Sequence, residues 1–387
     1  WRIGPEDARK EALARLQAAA TRIEPLLRTG ATASLIPLAH LEGQAAWVAG
    51  RWEEAIDKAR LAQEQAPWFY EARLLEAQAL LSWGLSKSGP EREGILAEAH
   101  RSAQAALVAA PCDLQALDLA GRIGVLRYGM AVADPAQARA IHAGVDRVVA
   151  TLRTLEPGGS RAGILEAYLL TAEAVNAQVM GRSGVEPLRR ALALLAPLLE
   201  VPDPPFEALE GAMRAESYAT KFPEMGDPIP WLDRALAHGR QAFALRPGHS
   251  RLANELTRVS IWRLGQGTQR GEAPWDVFES ALEVLLRSLD REPDAKSLRE
   301  SLGYLWGERA EYERTHGLDP RPSLDQSIQS FEAVLRQGPS FRSHFGIANA
   351  ALMRGQWETT HHQAGAAASL ERADQAYRQA GLLAPFH

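Results

Sequence analysis

The sequence has few of the residues that build crosslinks or metal sites. Its one cysteine, Cys112, cannot form an internal disulfide, and a thiolate metal site within the chain would need several cysteines. Its ten histidines include no pair four residues apart around a glutamate, the helical spacing of a zinc hydrolase. The adjacent His361 and His362 would point about 100° apart on a helix. The sequence therefore predicts no disulfide, no metal and no cofactor.

Long apolar runs and one-sided charge are also missing. The apolar run at 191–199 is about half of the roughly 20 residues that a membrane-spanning helix needs. No charged start followed by an apolar region marks a secretion signal, so we expect a cytoplasmic protein without membrane insertion. Its 43 basic and 48 acidic residues are interspersed and sum to −5, which does not resemble a basic surface for phosphates. We therefore expect no nucleic acid partner.

Catalytic motifs are lacking as well. Gly265, Gly267 and Gly271 follow a predicted helix, and their spacing differs from the dinucleotide-binding fingerprint, so they indicate a turn. No Gly-x-Ser-x-Gly motif occurs between a strand and a helix, and Ser183 lies in a predicted loop. The sequence therefore favours a protein that is not an enzyme. Because the chain begins at Trp1 rather than methionine, we interpret it as part of a longer protein.

What the sequence does contain is a long repeat. Prolines close apolar helical stretches at intervals of 44, 46, 45, 45, 46, 46 and 46 residues, at Pro67, Pro111, Pro157, Pro202, Pro247, Pro293, Pro339 and Pro385. Because proline lacks a backbone donor and fixes its own φ, each of them can end one helix and begin the next. The intervals predict eight repeated units.

Small residues recur at fixed distances before these prolines. In the first unit Ala62, Ala55 and Gly43 lie 5, 12 and 24 residues before Pro67. Alanines occupy the two nearer positions in several other units, namely Ala106 and Ala99, Ala242 and Ala235, Ala281, and Ala380 and Ala373. Two helices that approach closely leave no room for larger side chains, so each unit is predicted to be a helical hairpin.

This pattern resembles the tetratricopeptide repeat, most clearly over residues 37–67. The resemblance implies an all-α fold, a right-handed superhelical solenoid of about eight hairpins that binds proteins or peptides. The units differ from the family in length, with 44 to 46 residues rather than 34, and the additional residues lie between the two helices of a hairpin. Three units replace the alanines with Val145 and Leu152, Arg190 and Pro197, and Ser327 and Val334.

The predicted domain organisation is a capping helix within residues 1–34 followed by a solenoid over 35–387. The expected units are 35–67, 68–111, 112–157, 158–202, 203–247, 248–293, 294–339 and 340–387. Helices are predicted near 5–28, 36–49, 52–66, 70–84, 91–109, 113–129, 135–155, 162–180, 185–200, 206–221, 230–245, 250–264, 275–291, 295–315, 323–337, 341–354 and 364–383. The last unit carries no polar cap, which favours either a further unit or self-association through that end.

The resemblance also implies where a partner would bind. The first helix of each hairpin would line a concave groove, and the inward positions are His40, Gln44, Trp47, Gln78, Arg122, Tyr168, Arg251, Asn254, Arg258, Trp262 and Tyr304. Arg251, Asn254 and Arg258 are three and four apart, so they share a helix face on which two guanidiniums could hold a carboxylate or phosphate. The predicted partner is therefore a protein or peptide, acidic or phosphorylated.

Two alternatives stay open. The stretches 49–55 and 66–73 resemble repeat regions that follow the kinase domain in large bacterial serine/threonine kinases, which implies a regulatory or sensory region of a bacterial signalling protein. The chain itself has no kinase motif. An α/α-toroid enzyme would need paired carboxylates in a central cavity, and no acid pair in the sequence stands out.

Overall fold

A computed structural model describes residues 36–87 and 89–383. This part of the chain is all-helical, without strands, and its helices are α1 Leu38–Val48, α2 Trp52–Gln65, α3 Glu71–Ser86, α4 Gly89–Ala109, α5 Leu114–Met130, α6 Pro135–Leu155, α7 Ser160–Val179, α8 Val185–Leu199, α9 Phe206–Ala219, α10 Pro228–Leu245, α11 Ser250–Gln269, α12 Trp275–Arg291, α13 Lys296–Thr315, α14 Arg321–Leu335, α15 Phe341–Thr360 and α16 Ala366–Leu383. Short 3-10 turns follow α5 and α9. The predicted helix 5–28 and the cap within 1–34 lie outside the described residues.

The helix ends follow local chemistry that the sequence makes visible. The Asp134 carboxylate accepts hydrogen bonds from the backbone N–H of Ala136 and Gln137, both at 3.0 Å, with Pro135 as the first residue of α6. Beyond the C-terminal end of α10, Gly248 adopts φ +80°, a left-handed conformation that glycine tolerates best. Most of the helix bounds predicted within the described residues are therefore confirmed to within two or three residues.

Two helices are longer than predicted. α11 continues to Gln269 rather than ending near residue 264, and α15 continues to Thr360 rather than 354. The glycines at these points are close-approach sites rather than turns, because a Cβ on Gly267 would lie 3.1 Å from Pro274 Cγ and one on Gly355 would lie 2.7 Å from Leu370 Cδ2. The prediction of a turn at Gly265 and Gly267 is therefore wrong.

The helices pair in chain order into eight hairpins, α1 with α2 through α15 with α16. Contacts divide the described residues into two compact units on either side of residues 204 and 205, one with α1–α8 and one with α9–α16. Within each compact unit the first helices of successive hairpins also contact each other; for example, α11 contacts α13. The chain is thus an all-α helical-repeat protein of tetratricopeptide-like hairpins, while the eight repeat boundaries stay a prediction.

The small residues lie where the hairpins close. Ala55, Ala62, Ala99 and Ala106 are completely buried. A Cβ added to Gly43 would lie 2.9 Å from Leu75 Cδ2 and 3.3 Å from the Ala55 carbonyl oxygen, closer than such atoms normally approach. The physical reason given for the small-residue pattern is confirmed in these units.

Units that depart from the alanine pattern compensate on the opposing helix. Val145 packs toward Gly124, where a Cβ would lie 2.6 Å from Val145 Cγ2. The buried ring of Phe331 fills the space left by Gly303 and Gly346, where added Cβ atoms would lie 2.7 and 2.4 Å from its Cζ. In these places the small residue lies on a first helix, α5 for Gly124, α13 for Gly303 and α15 for Gly346. In the fourth hairpin Arg190 and Pro197 are exposed and Ala191 is buried instead.

Candidate functional site

The predicted binding residues of the first compact unit, which contains α1–α8, differ in how exposed their side chains are. Gln44 is exposed, and Trp47 is half-buried with its indole N–H donating to Ser82 Oγ at 3.1 Å. His40, in contrast, is 5% exposed and lies edge-on to Phe69 at 4.8 Å between ring centroids. Burial lowers the pKa of His40. The expectation that His40 faces a partner is corrected, because its ring belongs to the hairpin core.

Three further predicted residues of this unit, Gln78, Arg122 and Tyr168, are half-buried. The Arg122 guanidinium pairs with Asp118 at 3.0 Å, one turn earlier on α5. The structure places them on the first helices of their hairpins, α3, α5 and α7. Their role in binding stays a prediction.

The second unit brings two cations and two aromatic rings together, and we call Tyr218, Lys221, Arg258 and Trp262 the cation–aromatic cluster. Tyr218 lies near the end of α9, and Lys221 lies two residues beyond that end. Arg258 and Trp262 lie one turn apart on α11. The Lys221 Nζ is 3.8 Å from the Trp262 ring centroid, and the Arg258 guanidinium carbon is 4.9 Å from it. The same guanidinium carbon is 5.6 Å from the Tyr218 ring.

The two cations of the cluster differ in how they are compensated. Arg258 forms an ion pair with Glu255 on its own helix, and its buried Nε has no hydrogen-bond partner among the described residues. Lys221 has no carboxylate partner in the described part of the chain. Partial burial, with the nearby positive charge of Arg258, lowers the pKa of Lys221. The cluster therefore carries two cations against one carboxylate and would gain from a further anion.

The predicted trio on α11 does not form a single fork. The Asn254 side-chain oxygen accepts a hydrogen bond from Ser301 Oγ, which ties α11 to α13. Arg258 turns toward the rings and Glu255, and Arg251 is half-buried near the start of the helix. The structure thus groups Arg258 with Trp262 rather than with Asn254. Whether the trio binds a partner stays a prediction.

Tyr304, the last predicted residue, serves the packing of α13. Its ring lies edge-on to Phe331 at 5.0 Å, and its hydroxyl donates to the Arg342 backbone carbonyl at 3.3 Å. Burial raises the pKa of Tyr304. Tyr304 is half-buried, so its contribution to a binding face is limited to the exposed part of the ring.

Sequence reasoning missed Tyr218 and Lys221. Both lie at or just beyond the end of α9, a helix on which the sequence predicted no binding residue. Met213 and Glu216 of the same helix are buried, and Glu216 accepts from His238 Nδ1 at 2.8 Å and from Arg234 Nε at 3.3 Å. The scarcity of lysine, five among 43 basic residues, was an available signal for Lys221. The described residues contain no group of three metal-ligating side chains and no helix suited to crossing a bilayer.

Comparisons with known proteins concern the fold alone. No protein-family model matches the sequence, and no curated protein matches it. Among solved structures, a monomeric mutant of IFIT1 with m7Gppp-AAAA has a TM-score of 0.47 and 14% identity, covering 97% of this chain and 74% of its own. The human IFIT1 dimer with PPP-AAAA has a TM-score of 0.40 and 13% identity, covering 97% of this chain and 87% of its own.

One expectation about partners needs correction. The solved structures compared above contain capped or triphosphate RNA. The prediction, made from net charge, that the chain has no nucleic acid partner is therefore corrected. Net charge reports the sum over the whole surface, whereas a phosphate is held by a local group of cations. A formal charge of −5 therefore does not exclude a nucleic acid partner.

Proposed function

We propose that the chain is a non-catalytic scaffold that binds a peptide segment of another protein on the first-helix face of its second unit. The observation that carries this proposal is the cation–aromatic cluster, where Lys221 lies over the Trp262 ring without a carboxylate partner among the described residues. A carboxylate of the peptide would lie between Lys221 and Arg258, and a neighbouring apolar side chain would pack on Trp262.

The composition of the cluster supports a peptide ligand. Tryptophan, tyrosine and arginine are the residues that contribute most often to strong points of protein interfaces, because each combines a large contact area with a polar group. Tyr218, Arg258 and Trp262 lie on the packed helices α9 and α11 rather than on loops, so they lose little side-chain freedom on binding. A peptide is also long enough to continue along α13.

The alternative of a regulatory region in a bacterial kinase rests on two short stretches, 49–55 and 66–73, and on no structural feature. Of these residues, Trp68 is exposed while Phe69 packs on His40. The scaffold function therefore stands first.

The proposal is tested by screening the full chain against a random peptide library and measuring recovered peptides by fluorescence anisotropy. Trp262→Ala and Lys221→Ala should each weaken binding about tenfold, or about 1.4 kcal/mol. Trp68→Ala, which removes a tryptophan that is 61% exposed in the first unit, is the matched control and should leave affinity unchanged. Circular dichroism confirms that each variant is folded.

Two outcomes would contradict the proposal. If both cluster variants bind recovered peptides as the unchanged chain does, the binding face lies elsewhere. If capped or triphosphate RNA oligonucleotides displace the peptides and lose affinity in the same variants, the cluster serves RNA and the peptide proposal fails.

A further inference from the structure

A cleft in the first unit lies apart from the cation–aromatic cluster. It has a volume of about 440 Å³ and is lined by the second helices of two hairpins, α4 and α6, together with α5. His100 and Gln104 reach it from α4, Arg127 from α5, and Arg147 and Thr151 from α6. Cavities of this size accommodate small organic molecules.

The cleft is rich in donors and has no acid in its lining. Neither guanidinium, that of Arg127 or of Arg147, forms an ion pair with any residue described here. Arg127 Nε and His100 Nδ1 are both buried without a hydrogen-bond partner in the same part of the chain. The Glu93 carboxylate, which acts on the charge of Arg127, accepts from Nε2 of the lining residue Gln137 at 3.3 Å. Buried polar atoms are nearly always satisfied in folded proteins, so these atoms indicate an absent partner.

The electrostatics of these groups agree with the geometry. Burial, with the charge of Arg127, lowers the pKa of His100 to about 4. Burial also lowers the pKa of Arg127, with a further contribution from Arg101 and an opposing one from Glu93. Both shifts show that burial disfavours the positively charged forms of these two side chains. An anion in the cleft would reverse both.

The remainder of the lining is apolar. Leu107, Leu117, Ile141 and Val148 contribute to the walls. A fully hydrated inorganic ion would leave this surface in contact with water, whereas a molecule with an apolar body would cover it. The cleft thus matches a ligand with an anionic group at one end and an apolar body at the other.

We infer that this cleft binds a small organic anion, with a carboxylate or phosphate head held by Arg127, Arg147 and His100 and an apolar body against the walls. The head forms charge-assisted hydrogen bonds with the two guanidiniums. The neutral His100 ring donates or accepts according to its tautomer. The site lies entirely within α4–α6 and is independent of the peptide function proposed for the second unit.

The test uses hexanoate and hexyl phosphate as probes, with hexanol and hexylamine as the neutral and cationic counterparts. Isothermal titration calorimetry on the full chain should show saturable binding of at least one anion, and hexanol should bind at least about tenfold more weakly. The comparison of the two anions identifies the head group. The histidine C2-proton signal of His100, followed from acid to neutral pH, should titrate at higher pH when the anion is bound.

Three substitutions locate the site. Arg147→Gln removes an exposed guanidinium, and Gly144→Leu fills the cleft from α6, where an added Cβ would meet no atom within 4 Å. Both should lower anion affinity at least about tenfold while the thermal transition is retained, since leucine favours a helix more than glycine does. Arg139→Gln, on an exposed position of α6 outside the cleft, carries the same charge change and should alter affinity less than about twofold.

The inference would be overturned by hexanol binding as well as the anions, or by anion binding that survives Gly144→Leu. It would also fail if Arg139→Gln weakened binding as much as Arg147→Gln, since the anion would then respond to general surface charge. Trp262→Ala should leave anion binding unchanged, so failure here and failure of the peptide proposal are distinguishable.

Discussion

At the scale of single residues, hairpin packing depends on small residues where two helices approach closely. In the first hairpin both helices carry one, Gly43 on α1 and Ala55 on α2. Where α14 carries Phe331, α13 and α15 carry Gly303 and Gly346. The two arrangements fill the same space, because interiors are packed to a nearly constant density.

The contact with Phe331 predicts opposite effects of alanine at two glycines on α13. Gly303→Ala should destabilise the chain by about 1–3 kcal/mol, because its Cβ would lie 2.7 Å from Phe331 Cζ in a closed core. Gly307→Ala should stabilise it by up to about 1 kcal/mol, since its Cβ would lie 3.9 Å from Ser327 Oγ and alanine favours a helix. Urea unfolding of both variants measures the difference, and equal effects would contradict the packing explanation.

Glu308 on α13 predicts a dependence of stability on pH. Burial, with the negative charge of Glu311, raises the pKa of Glu308 from 4.5 to about 7. The folded chain therefore holds this proton more tightly than the unfolded chain, and its contribution to the free energy of unfolding falls as pH rises from about 4.5 to about 7. The contribution is unaffected below that window and fully lost above it.

Glu308→Gln, which keeps the neutral shape, should gain about 1–3 kcal/mol over the unchanged chain at about pH 8 and little at about pH 4. Urea unfolding at both pH values measures this gain. Glu279→Gln, at an exposed position on α12, should show no such gain. If Glu308→Gln gained the same free energy of unfolding at both pH values, the raised pKa of Glu308 would not be the cause of the gain.

At the scale of helices, buried glutamates fix how hairpins stack. Glu76 on α3 is 7% exposed and accepts from Arg60 Nε at 2.7 Å and Gln63 Nε2 at 3.0 Å on α2, and from Ser102 Oγ at 3.0 Å on α4. One carboxylate thus joins three successive helices. Glu358 on α15 is similarly buried, and it accepts from Arg354 and from Ser369 on α16.

Glu76→Ala should lower the free energy of unfolding by about 1–3 kcal/mol, because Gln63 and Ser102 would lose their acceptor in a partly buried position. Glu98→Ala removes a more exposed carboxylate that also pairs with Arg60, and it should cost no more than about 1 kcal/mol. Thermal unfolding of the two variants checks the contrast. Equal losses would mean that Arg60 alone, and not the three-helix contact, stabilises the stack.

At the scale of the whole molecule, the division at residues 204 and 205 falls in a proline-rich stretch between α8 and α9. Residues 200–203 are exposed and without helical hydrogen bonds, which makes this stretch a site for proteolysis. Limited digestion with proteinase K should cut near residues 200–205 and leave two helical fragments. The fragment from residue 205 should retain peptide binding, because the cation–aromatic cluster lies within it. Initial cleavage inside a hairpin would contradict this division.

The sequence by itself determined the helices and their pairing into hairpins. Proline and small-residue spacing act locally, through backbone donors and close helix contact, so they can be read along one chain. The same reasoning located Arg258 and Trp262 on α11. It did not predict how deeply His40 is buried, because the family pattern fixes a position on a helix but not how far the next helix covers it.

Only the tertiary structure decided where charge is left uncompensated. Lys221, just beyond α9, lies over the ring of Trp262 on α11. The charge of Arg127 on α5 acts on His100 on α4. The residues of the first pair are 41 positions apart and those of the second are 27 apart. Electrostatic interaction depends on distance in space and on burial, neither of which residue order specifies. The sequence pattern therefore predicts the helical repeat, whereas both candidate binding sites depend on how the helices pack.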